Sequence, residues 1–126
     1  MSFQANLGMI MTRDLAALRR EIEAYPDERL IWAAIPGLAN SGGVLTLHLC
    51  GNLQHFIGTV LGGTDYRRNR EAEFSAPPAA REALVAEIER TIATVREVCP
   101  RITDAQLRAT YPVPVGEHTL QTERFL

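Results

Sequence analysis

His48 and His55, with Asn52 between them, are the residues whose types and spacing could do chemistry. Steps of four and three residues along a helix place all three side chains on one stripe. Helical bundles build metal and ligand sites in just this way, from polar side chains that project between facing helices. Two turns separate the histidines, about 10.5 Å along a helix axis. Metal–nitrogen bonds of only about 2 Å then prevent the pair from sharing one ion. A metal on His48 therefore needs partners from other elements, and the acids on neighbouring segments (Asp14, Glu21, Glu23, Glu87 and Glu89) fall mostly on polar faces. The competing reading is a histidine satisfied in the core or at the surface. It applies with more force to His118, which lies in a Pro/Gly-rich stretch.

Other chemistries fit poorly. All thirteen basic residues are Arg, which removes Schiff-base and P-loop lysine chemistry. No GxGxxG or GxxxxGK[ST] pattern occurs. Cys50 and Cys99 form no CxxC pair and read as reduced, buried, small apolar residues. A net charge of -2 argues against a nucleic-acid partner. No apolar run reaches the roughly 18 residues of a membrane span, and no leader pattern opens the chain, so the cytoplasm is the expected location. The run Arg67-Arg68-Asn69-Arg70 reads as a solvated loop, and Trp32 as a core residue or pocket wall.

The elements that must position these residues are helices of a single domain spanning residues 1–126. Phe3, Leu7, Ile10, Met11, Leu15, Leu18, Ile22 and Tyr25 recur at helical spacing and predict a first helix with a core-facing stripe. Tyr25-Pro26 closes it, because the residue before proline is driven out of the helical region. Asn40 or Ser41 caps a second helix over about Val44–Leu61, which ends at Gly62-Gly63. Its apolar side is marked by Leu45, Leu49, Leu53, Phe56 and Val60. The charged stretch Thr64–Phe74 reads as a solvated segment. Pro77-Pro78 then opens a third helix to about Val98, with Leu84, Val85, Ile88, Ile92, Val95 and Val98 as its stripe. Thr103–Leu107 predicts a short helical turn, Tyr111–Gly116 an extended stretch that is either an edge strand or a strapping loop, and Thr119 the cap of a last helix over Leu120–Leu126.

Two stretches carry a family resemblance. Pro36–Leu45, Leu47-His48-Leu49 and Gly51–Ile57, followed by Leu61–Phe74, resemble the DinB-like (YfiT-like) superfamily and its small bacterial members. The resemblance is specific over about Pro36–Phe74 and covers most of the chain in order of elements. It implies an all-α fold, a four-helix bundle of up-down-down-up topology. It also implies a divalent metal, nickel or zinc, held by one histidine of the second helix and an HxxxH pair on the fourth. His48 would be the second-helix ligand, with Asn52, His55 and Trp32 lining the pocket. The HxxxH helix is not present after Thr119, so the fourth helix is expected to be truncated and the metal could be lost with it.

Two functions follow as expectations. One is a metal-dependent DinB-like protein, acting with a small thiol as a transferase or as a related hydrolase. The alternative is a non-catalytic helical dimerisation or small-ligand-binding domain. An exposed apolar groove in place of the fourth helix would favour a covering partner, and a homodimer is the expected assembly, with no nucleic acid and no membrane involved.

Overall fold

A computed structural model describes residues 2–126. The long helices are α1 (Phe3–Ala24), α2 (Gly42–Leu53) and α4 (Arg81–Val98), and the short helix α3 (Arg70–Ser75) lies between the last two. A 3-10 turn, Glu28–Trp32, joins α1 to the loop before α2. Beyond α4 come the 3-10 turn Cys99–Arg101, the short α5 (Asp104–Arg108), and the terminal α6 (Thr122–Phe125). The result is an all-α domain with a core of four packed helices and extra short ones.

Side-chain caps start the helices where the sequence offers them. The Ser2 hydroxyl accepts from Ala5 N–H, and the Ser41 hydroxyl accepts from Val44 N–H. Thr103 and Gln106 form a reciprocal capping box at α5. Within the unbroken α1 the Thr12 hydroxyl donates back to the Gly8 carbonyl at 2.9 Å. Thr119 is not the last cap. Gln121 holds that position without a side-chain bond, and an antiparallel bridge between Thr110 and Gln121 fixes the approach.

α4 is the hub, packed against both α1 and α2. Its stripe is as the spacing predicts, with Leu84, Ile88, Ile92, Val95 and Val98 buried. The other two stripes differ from expectation. On α1 the buried positions are Gln4, Gly8, Leu15 and Ile22, while Phe3 and Ile10 face solvent. A Cβ at Gly8 would stand 2.8 Å from Cys99 Cβ, so glycine lets α1 approach the end of α4 closely. On α2 the side turned to the core carries Gly43, Thr46 and Cys50, while Leu45 and Leu49 are 44% and 45% exposed. Small residues bring α2 close to its neighbours, and the buried Thr46 hydroxyl is satisfied by the Gly42 carbonyl at 2.8 Å.

α2 widens into a π-helical turn over Gln54–Thr59. The wider turn leaves backbone carbonyls to find other partners. Phe56 O accepts from the Tyr111 hydroxyl, which pins the Pro-containing strap to α2, and Thr59 donates to Tyr66 O at 2.6 Å. Phe56, Tyr111 and Phe125 cluster there, with Phe125 edge-on to both other rings.

The hub predicts unequal costs along the apolar stripes. Ile88→Ala, at a fully buried position of α4, should lower unfolding free energy by about 2–5 kcal/mol. Leu45→Ala should cost at most about 1 kcal/mol, because much of that side chain already meets water. Urea denaturation measures both, and equal losses would contradict the placement of the core.

Candidate functional site

His48 leaves α2 toward α3 and meets a buried ion pair. Its Nδ1 lies 3.2 Å from Glu73 Oε1 and 3.3 Å from Arg68 Nη2. Arg68 grips the same carboxylate with two bonds, Nε to Oε2 at 2.9 Å and Nη2 to Oε1 at 3.0 Å. The side chains of Glu73 and Arg68 are only 8% and 11% exposed, whereas that of His48 is 30% exposed. An aromatic wall completes the cluster. The Phe74 ring lies 5.0 Å from the imidazole, and the Arg68 guanidinium stands 5.8 Å from the Phe56 ring.

The local sequence explains how a carboxylate comes to be buried there. Asn69 caps α3 by accepting from Ala72 N–H at 3.1 Å, which starts the helix that carries Glu73. Gly51 of α2 then opens the space, since a Cβ at that position would stand 1.8 Å from Glu73 Oε2. The segment read as a solvated loop is therefore corrected. Arg68 and Glu73 fold inward because each supplies the charge the other needs out of water. Arg67, Asn69 and Arg70 stay exposed.

Below this cluster, between α2 and α4, the buried amide of Gln54 donates to Glu87 Oε1 at 2.7 Å. Burial pushes the Tyr66 hydroxyl up, and the nearby Glu87 and Glu73 carboxylates add to the effect. Cys50 is buried, and the same cause raises its thiol to about 11. Burial also raises Cys99. Neither cysteine is a thiolate near neutral pH, so both serve as small core residues.

Among the described residues, no group of three or more His, Cys, Asp or Glu could hold a metal ion. A first-row ion takes about four donors. His48 fits as one of them, because ligating histidines characteristically rest their other ring nitrogen on a carboxylate. The described residues do not fit as a complete centre. Asn52 and His55 are half-buried, and no side-chain hydrogen bond among the described residues ties them to His48. His55 stands edge-on to Phe56 at 4.8 Å. Trp32 packs over Gly43, and its Nε1 donates to Ala79 O at 3.0 Å. His118 lies in an exposed turn, paired through its backbone with Val115.

An open groove of about 450 Å³ runs between α1 and α2. Leu18, Tyr25, Leu45 and Leu49 give it apolar walls, and Glu21 brings a carboxylate. Leu45 and Leu49 share α2 with His48, whereas His48, Asn52, His55 and Trp32 are not among the residues that line the groove.

The fold is that of an all-α domain, and its family match is consistent with the broad DinB-like superfamily. Residues 8–124 match the family described as "Protein of unknown function (DUF1572)", and the chain belongs to that family. No curated protein and no solved structure matches the chain. No described helix is long and apolar enough to cross a membrane.

Arg68 and Glu73 escaped sequence reasoning, because a charge-rich stretch without periodicity looks the same whether its charges point in or out. The available signal was Gly51, an unforced glycine in the middle of a helix.

The Cys50 thiol gives a pH test with a definite sign. Between its ordinary value of 9.0 and its folded value of about 11, the unfolded chain sheds the proton and the folded chain keeps it. Stability should fall as pH rises through that window. Cys50→Ala should show a shallower fall in urea midpoint over the same range, and identical slopes would contradict the burial of the thiol.

Proposed function

We propose that the domain is a metal-dependent protein of the YfiT-like kind, with His48 as the ligand that the second helix supplies to nickel or zinc. The observation that carries this reading is the arrest of His48 Nδ1 by the buried Glu73–Arg68 pair, on the helix that also walls the apolar groove. One edge of the imidazole is held and the other is left for a ligand. The remaining donors come from outside the described residues, from a further segment or a second subunit seated along α1 and α2. A bound metal would supply Lewis acidity at an open position, suited to activating a small thiol for transferase or related hydrolase chemistry. The chain's own part is to hold and orient His48 through Glu73 and Arg68, with the apolar Leu45 and Leu49 on the same helix.

The second reading is a non-catalytic helical dimerisation or small-ligand-binding domain. It is favoured by the exposed apolar residues Leu45 and Leu49 beside an incomplete donor set. A homodimer is the assembly proposed in either case.

Elemental analysis of the purified protein, with sedimentation on the same sample, separates the two. Nickel or zinc in constant ratio to protein, lost in His48→Ala while the mass is unchanged, is the expected result. A dimer without metal in either protein would overturn the metal reading and leave the second.

A further inference from the structure

The two neighbours of His48 Nδ1 make opposite demands on it. Glu73 Oε1 can only accept a proton, so contact with it requires Nδ1–H. Arg68 Nη2 can only donate, so a bond from it requires a bare Nδ1. The choice decides what His48 can do. With the proton on Nδ1, the Nε2 lone pair is free to bind a metal or take a proton. With the proton on Nε2, the ring can only donate at its open edge.

We propose that Glu73 fixes neutral His48 as the Nδ1–H tautomer, with Arg68 as the clamp that keeps the carboxylate in place. Arg68 already donates twice to Glu73, at 2.9 and 3.0 Å, and it needs no bond to the imidazole to be held. Its 3.3 Å approach to Nδ1 is longer than either of those bonds and than the 3.2 Å from Nδ1 to Glu73 Oε1. A bare Nδ1 would instead aim its lone pair at a carboxylate oxygen 3.2 Å away, in a place where Glu73 has almost no water to turn to. A third donor to a buried carboxylate is a charge-assisted bond, the stronger kind.

Glu73 and Arg68 are positioning residues: they act through His48 and need touch no ligand. Gly51 belongs to the same device, since any side chain there would take the place of Glu73 Oε2. The inference rests on reading His48 as a donor through Nε2, yet it concerns the metal-free chain, and its test involves no metal.

Long-range 1H–15N correlation spectra of the histidine rings, recorded on metal-free protein in alkaline buffer where imidazole side chains are neutral, read the tautomer. Nδ1 should give the protonated, pyrrole-type signal and Nε2 the bare, pyridine-type signal. That is the reverse of the tautomer that predominates in a free histidine side chain. A pyrrole-type Nε2 in the wild-type protein would overturn the proposal whatever the metal analysis shows. Gly51→Ala keeps a good helix former in α2 and displaces the carboxylate, so His48 should move to the tautomer of a free histidine side chain. An unchanged Nδ1–H signal in folded Gly51→Ala would mean that Glu73 does not set it. Loss of metal from the assembled protein with the Nδ1–H tautomer intact would count against the metal reading alone.

Discussion

A carboxylate that leaves water must find its charge and its hydrogen bonds elsewhere, and the region around His48 is organised by that requirement. Removing a single ion from water costs several kcal/mol even after relaxation. Glu73 meets the demand with a two-bond grip from Arg68 and with the imidazole edge of His48. The consequences reach beyond the site. α3 is six residues long, too short to persist by helical bonding alone. Its position on α2 is held instead by Glu73 below and by Phe74 against the imidazole. The path from the π-helical turn to α3 is set by the same contacts, together with the bond from Thr59 to Tyr66.

The packing of α2 explains why His48 and the exposed leucines share one helix. Its small residues face inward, which lets it lie close to α4 and Trp32, and its large ones are left for the groove. A helix whose leucines point away from its own core presents a surface suited to another helix. His48 sits between that surface and the ion pair. One edge of its ring is occupied by the ion pair, and its side chain keeps 30% of its surface exposed.

The long helices were legible from periodicity, caps and prolines. The stripe of α4 matches at Leu84, Ile88, Ile92, Val95 and Val98, because α4 is packed on two sides and its apolar residues have nowhere else to go; Val85 is half-buried and Thr91 is the buried position that hydrophobicity did not mark. α1 was legible as a helix and in most of its inner face, through Leu15, Ile22 and the partly buried Met11, Leu18 and Tyr25, whereas α2 was legible as a helix but not in its orientation. Hydrophobicity marked Phe3, Ile10, Leu45 and Leu49 as core, whereas close approach of backbones made Gly8, Gly43 and Thr46 the inner positions. The π-helical turn at Gln54–Thr59 left no mark in the sequence, since it answers to tertiary partners such as Tyr111. Of the site, His48 was legible from its residue type and position. Its two supports were not, because pairing across 20 and 25 residues through a charged stretch has no local signature.

The dependence of the region on one buried pair is tested most directly by a double-mutant cycle on Arg68 and Glu73, read as unfolding free energy. Arg68→Met and Glu73→Gln should each be costly alone, with the loss of a buried partner worth about 3–5 kcal/mol at its largest. The double variant should cost clearly less than the sum, with a coupling of at least about 1.5 kcal/mol. Additive losses would mean that the two side chains contribute independently, and the ion pair would not be what holds α3 and His48 in place.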